Sequence, residues 1–134
     1  MKNTNRRKIE FRSQKGQAVT EFALALPILV LLLFAVIQFG ITFNNYVTLT
    51  DATRAGARKA AVSRQQSSPS AVVTTAVRNS AANLTQSNLN VSVTSTWQPG
   101  ADVTVTATYP YQIKLLGIPL KKGNLKSTTT ERVE

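Results

Sequence analysis

The sequence predicts an α+β protein: a long N-terminal transmembrane helix followed by a small extracytoplasmic head in which a helix lies on a three-stranded antiparallel sheet. Three observations carry this expectation. An uncharged run spans Phe22 to Phe43, a Pro-initiated helical stretch begins near Ser68, and the final third alternates Val with Thr and Ser.

The run FALALPILVLLLFAVIQFGITF is interrupted only by Pro27, Gln38, Gly40 and Thr42. At about 1.5 Å per residue, roughly 22 helical residues cover about 33 Å, enough for a hydrocarbon core of about 30 Å. A secretory signal has a shorter apolar region, about 7 to 15 residues, that ends at a small-x-small site. A buried core helix would need apolar material around it on all sides, and the remaining chain is too small to supply that. Six basic residues, Lys2, Arg6, Arg7, Lys8, Arg12 and Lys15, precede the run against the single acid Glu10. They outweigh Arg54, Arg58 and Lys59 beyond it, which places the N-terminus on the cytoplasmic side and everything after about Asn44 outside. Pro27 removes one backbone hydrogen bond and crowds the preceding turn, so a kink or local melting is expected there.

From Ile41 to about Val62 the helix can continue, with Ala52, Ala55, Gly56 and Lys59 on one face. Small residues there let another helix approach closely, or else supply helix propensity alone. Asp51 and Arg54 are spaced for a surface pair. Residues 64–68 read as a polar linker, and Ser68-Pro69 as an N-cap and first turn. The second helix presents Val73, Val77 and Leu84 and is expected to end near Asn83. Val91, Val93, Ser95 and Trp97 then alternate with Ser92, Thr94 and Thr96; the stretch from Gln98 to Ala101 turns; and Val103, Val105, Ala107 and Tyr109 repeat the period. Tyr109-Pro110-Tyr111 is expected to end this strand, Gly117 to Gly123 to form a connection, and Leu125 to Val133 a third, weaker strand. Trp97, Tyr109 and Tyr111 form either core or a contact patch for a ligand such as carbohydrate. Asn83-Leu84-Thr85 has the form of a glycosylation acceptor and is read as incidental.

Composition removes several function classes. The formal charge of +10 arises from 16 Lys and Arg against 6 Asp and Glu. Half of that excess sits before Gln17, and the remainder is scattered without a basic face interleaved with aromatics, which argues against nucleic-acid binding. With no cysteine and no histidine, disulfides, thiolate metal sites and His-based catalysis are excluded. The acids Glu10, Glu21, Asp51, Asp102, Glu131 and Glu134 are too dispersed in sequence to mark a carboxylate pair. The chain reads as a non-enzyme with no cofactor and no metal.

The unusual residue is Glu21, an ionisable group at the threshold of the apolar run. Such a residue marks function when it must be paired or neutralised in lipid; alternatively, it reaches headgroup water and favours the helix N-terminal dipole. Its setting is Lys15-Gly16-Gln17-Ala18-Val19-Thr20-Glu21-Phe22, between a basic leader and the span. That stretch resembles the processing site of type IV pilin precursors, in which a membrane peptidase cuts after the glycine and leaves Glu as the fifth mature residue. The Glu21-Phe22 pair is similar to that of tight-adherence (Tad, or Flp) prepilins and pseudopilins. The fuller match is to TadE-like pseudopilins, carried by GQAVTEFALALPILVLLLF, by ATRAGARKAA over residues 52–61, and by the ending Glu131-Arg132-Val133-Glu134. The middle, residues 64–100, resembles nothing familiar.

The resemblance implies a type IV pilin-like fold and a minor pseudopilin of a Tad/Flp pilus or a related secretion machine. It divides the chain into a leader removed after Gly16 (1–16), a transmembrane and juxtamembrane helix (17–63) and an external head (64–134). Gly16 and Gln17 flank the implied cut, Glu21 and Phe22 serve recognition and assembly, and Pro27 lets the helix adjust on leaving the membrane. The implied partners are the prepilin-type peptidase, sibling pseudopilins, the major pilin, the inner-membrane assembly platform and the membrane itself. Two rivals remain: an uncleaved single-span protein with an external recognition head, and a tethered hydrolase using carboxylates such as Asp102.

Overall fold

The computed structural model describes residues 6–115 and 117–134, with side chains from residue 16 onward. Its elements are α1 (Arg6–Ala61), α2 (Pro69–Ser80), β1 (Asn90–Ser95), β2 (Asp102–Leu115) and β3 (Ile118–Arg132). The strands form one antiparallel sheet in the order β1-β2-β3. A long apolar helix, a short helix and a three-stranded antiparallel sheet constitute the expected α+β, pilin-like arrangement. The chain divides into two compact units, one ending at Ile37 and the other comprising Gln38–Glu134, and α1 runs through both. The charged side chains of the leader, from Lys2 to Lys15, lie outside the described residues.

The first unit is the N-terminal part of α1. Its helix is continuous through Pro27. Val19, Phe22, Leu24, Ile28, Leu32, Leu33 and Val36 are all exposed, which water penalises and lipid does not. α1 is long and apolar enough to cross a membrane, and the apolar window that meets this criterion has none of its residues buried.

The second unit has a core of its own. Along α1 the buried positions are Leu49, Ala52, Thr53, Gly56, Ala57 and Ala60, the three- and four-residue spacing of a single helix face. Small side chains dominate that face because two elements press against it. A Cβ built on Gly56 would lie 2.3 Å from Val77 Cγ2 of α2 and 3.4 Å from Val105 Cγ1 of β2. The expected close approach of another helix is therefore made within the chain, by α2. The expected face is corrected at two positions: Ala55 is half-buried and Lys59 is exposed. Lys59 lies on the side where a long charged stem keeps its ammonium in water. Asp51 and Arg54 pair at 3.6 Å on the surface, where such pairs contribute little.

The sheet presents Val103, Val105 and Ala107 to this core, with the half-buried Val91, Val93, Trp97, Tyr109 and Leu125 packed around them. The opposite face is hydroxyl-rich: Thr104 pairs with Thr130 and Thr106 with Thr128 through side-chain hydrogen bonds of 3.0 and 3.1 Å. Such cross-strand pairs are a recognised source of sheet stability. Between α1 and β3, Thr53 Oγ1 meets Ser127 Oγ at 2.9 Å and accepts from Thr129 Oγ1 at 3.2 Å, so these hydroxyls satisfy one another where water is excluded.

The unfamiliar middle is organised by side chains that bond backbone. α2 starts at Pro69 as expected, although the Ser68 side chain makes no capping bond; its carbonyl instead accepts from the Ala71 and Val72 N–H groups. The helix ends at Ser80 rather than near Asn83, and Leu84 is buried in the turn that follows. Arg78 and Gln86 brace the loop that follows. The Arg78 guanidinium donates to the carbonyls of Gln86 and Leu89 at 2.9 and 3.2 Å, while Gln86 Nε2 donates to those of Ala81 and Leu84 at 2.8 and 3.1 Å. These bonds give backbone carbonyls of the loop side-chain donors in place of a regular ladder.

Three strand expectations are corrected. β1 stops at Ser95, so Trp97 lies in the connection, at a φ of 56°; its indole still packs on the core, and the Trp97 backbone N–H donates to Ser95 Oγ. β2 does not end at Tyr109-Pro110-Tyr111 but continues to Leu115. β3 begins at Ile118, where a connection was expected, and is the longest strand rather than a weak one. Proline misled because it is normally excluded from the middle of a sheet. Here β1 pairs only as far as Thr108, so Pro110 sits where β2 has one free edge, and Pro119 sits on an outer strand. Gly117, at a φ of 87°, supplies the left-handed residue of the tight turn. Gly123 faces Tyr111, whose ring lies 2.9 Å from where a Cβ would be, so the aromatic covers the glycine gap.

Candidate functional site

Gly16, Gln17, Glu21 and Phe22 lie within two turns of α1, and the helical period of 3.6 stacks Gln17 under Glu21 and Gly16 under Thr20. Gln17 Nε2 donates to Glu21 Oε1 at 3.0 Å, and Thr20 Oγ1 donates to the Gly16 carbonyl at 3.0 Å. The carboxylate is thus held by the side chain four residues before it, and the carbonyl of the Gly16-Gln17 peptide is engaged from four residues beyond. Thr20 is the member that sequence reasoning overlooked, although a threonine hydroxyl commonly bonds the carbonyl four residues back in a helix.

All of these groups are exposed, and a Cβ at Gly16 would meet nothing within 4 Å among the described residues. The glycine is therefore not required for packing within the helix. Phe22, 59% exposed, begins the apolar surface directly after the carboxylate. A polar threshold of Gln17, Thr20 and Glu21 is followed within one residue by side chains suited to lipid. Pro27 is six residues beyond Glu21, in the apolar stretch rather than in the polar group.

The other candidates are placed in the head. Trp97 and Tyr109 pack on the core, and Tyr109 Oη accepts from the Thr85 N–H at 3.4 Å. Tyr111 lies over Gly123, so the three aromatics support the fold rather than form one open platform. Asn83 is exposed and its Nδ2 donates to Thr48 Oγ1 at 3.4 Å. In the closing stretch Val133 is buried, its N–H donates to the Ala101 carbonyl at 2.8 Å, and the Glu134 N–H donates to the Ala61 carbonyl at 2.9 Å. The end of the chain thereby ties the sheet to the end of α1.

Residues 16–58 match the family model described as TadE-like protein. The matched stretch opens on Gly16 and covers the polar threshold, the apolar run and most of the buried α1 face. No curated protein and no solved structure shows significant similarity to the chain. Over the segment from Gly16 to Arg58 the chain is similar to the TadE-like family, and it carries a helix long and apolar enough to cross a membrane.

Proposed function

We propose that the chain is a minor pilin-like subunit, a pseudopilin, that a prepilin-type peptidase cuts after Gly16 and that is needed to assemble a Tad/Flp-type pilus or a related secretion machine. In this reading residues 1–16 are the leader, 17–63 the anchor and juxtamembrane helix, and 64–134 the remainder of an external head. The anchor is inserted with its N-terminus in the cytoplasm, as the six basic residues of the leader favour. The observation that carries the proposal is the position of Glu21, an exposed carboxylate one residue before the apolar surface and five residues after an unencumbered glycine.

The chemistry follows from that position. A peptidase needs an extended substrate, so the helix must open at Gly16. Opening there is favoured because glycine is about 1 kcal/mol less helix-stabilising than alanine, and it breaks the Thr20–Gly16 hydrogen bond. Cleavage removes the leader's positive excess and leaves an α-amine on Gln17. That amine, at the membrane surface, finds its counter-charge in Glu21 of a neighbouring subunit, a pairing that fixes register because both groups are costly to leave unpaired in apolar surroundings. Pro27, which leaves one carbonyl of the helix without its usual donor, gives the anchor a point at which to adjust as the subunit leaves the membrane.

The partners in this reading are the peptidase, sibling pseudopilins, the major pilin and the inner-membrane platform. The test is the length of the membrane-extracted chain in cells with a working peptidase: wild type is shortened and Gly16→Leu is not. Equal processing of both would remove Gly16 from the proposed role.

A further inference from the structure

β2 and β3 extend well past β1. β1 pairs with β2 from Asn90↔Thr108 to Ser95↔Val103, whereas β2–β3 pairing continues to Leu115↔Ile118. Residues 109–115 and 118–125 therefore form a two-stranded ribbon that no third strand among the described residues supports, an arrangement that is marginal in water. Its side chains are unusual. From Val103 to Thr130 there is no acidic residue, while Lys114, Lys121, Lys122 and Lys126 are all exposed. Among these cations Ile118 and Leu120 are 66% and 65% exposed, next to the half-buried Ile113 and Leu115.

Lysines on an outer strand have a plain use, since they discourage edge-to-edge pairing. That use accounts for Lys121 and Lys122 but gives no reason to expose Ile118 and Leu120 beside them. The register shift at Ile113/Lys114 leaves Leu120 without a partner on β2, as the extra residue of a bulge that re-aims the strand. Lys114, Lys121, Lys122 and Leu120 also border a shallow concavity of about 420 Å³ at the turn. Aliphatic side chains framed by cations of one sign match the boundary between acyl chains and anionic headgroups.

We propose that the tip of the β2–β3 ribbon is a membrane-surface contact: Ile118 and Leu120 enter the headgroup boundary of an anionic bilayer while Lys114, Lys121 and Lys122 engage lipid phosphates. The contact requires that the chain be carried on a membrane, and it does not depend on cleavage after Gly16. Each lysine near an anionic surface adds about fivefold to partitioning at physiological ionic strength. Converting three of them to neutral residues therefore lowers the ratio of engaged to free tips on the order of a hundredfold.

The sequence has no cysteine, so Leu120→Cys accepts a single environment-sensitive fluorophore on the full chain. Gln98→Cys, at an exposed position in the β1–β2 connection, serves as the reference. The labelled chain is reconstituted into liposomes of phosphatidylcholine alone or mixed with phosphatidylglycerol, and near-ultraviolet circular dichroism of Trp97 verifies that each variant is folded. The expected result is blue-shifted emission and protection from iodide at position 120 only, in the phosphatidylglycerol liposomes only. Adding Lys114→Gln, Lys121→Gln and Lys122→Gln together should abolish both. Equal iodide access in the two lipids would overturn the proposal, and protection that disappears on diluting the protein at constant lipid would assign the tip to a contact between chains instead. Release by inorganic phosphate beyond that caused by chloride of equal ionic strength would assign it to the free anion and would equally overturn the lipid contact.

Discussion

Replacing Gly56 by alanine sets two effects of opposite sign against each other. Alanine favours a helix over glycine by about 0.8–1.0 kcal/mol. The added methyl, however, would stand 2.3 Å from Val77 Cγ2 and 3.4 Å from Val105 Cγ1. Valine is stiff at χ1 and cannot swing the methyl aside cheaply, so α2 must shift or strain. Overpacking of this kind costs about 1–3 kcal/mol, which leaves a net loss of about 1 kcal/mol. For a unit the size of Gln38–Glu134, that lowers Tm by about 4–8 °C. Thermal unfolding followed by the near-ultraviolet signal of Trp97, the only tryptophan, measures it in detergent. Val77→Ala in the Gly56→Ala background removes the offending methyl, so the double variant should be more stable than the two single losses added together. A Gly56→Ala protein melting at or above wild type would refute the inference that close approach of α2 is the reason for glycine at this position.

Three further outcomes are expected. Thr53→Val removes the hydroxyl that serves both Ser127 and Thr129 and should destabilise the head by about 1–3 kcal/mol through the polar groups left behind; adding Ser127→Ala should recover part of that loss in the same melting assay. Val133→Ala truncates a buried side chain near the tie between the sheet and the end of α1, and denaturant unfolding should show a loss of about 2 kcal/mol. Glu21→Ala should be processed normally yet fail to support pilus assembly, as scored by counting pili in cells that express the variant; normal pili would end the proposed assembly role of the carboxylate.

The parts of the fold visible in the sequence were those with a strong period or a strong composition. The apolar run could be read because lipid accepts a helix that is hydrophobic all round, and the Val-Thr alternation because one face of a sheet is buried and the other is wet. The length of β2 and β3 was hidden by Pro110, Pro119, Gly117 and Gly123. These residues usually mark turns, yet three of them lie within strands, in a ribbon whose edges are free. The role of the small residues around Gly56 was legible as close packing, but the identity of the neighbour was not, because Val73 and Val77 come from a helix beyond a polar linker. Arg78 and Gln86 carried no local signal, since bonds from side chain to backbone carbonyls across a loop depend on tertiary geometry. At the site, Glu21 stood out by its charge beside an apolar run, whereas Thr20 looked ordinary until its hydroxyl was seen on the Gly16 carbonyl.

The central claim is that the chain works in a shortened form beginning at Gln17. Mass spectrometry of the intact protein extracted from the membrane of cells with an active prepilin peptidase tests it most directly. The account predicts a species with the mass of Gln17–Glu134, with or without a small modification on the new amine, and conversion to the full-length mass when the peptidase is deleted. A chain that retains Met1–Gly16 in peptidase-active cells would contradict it.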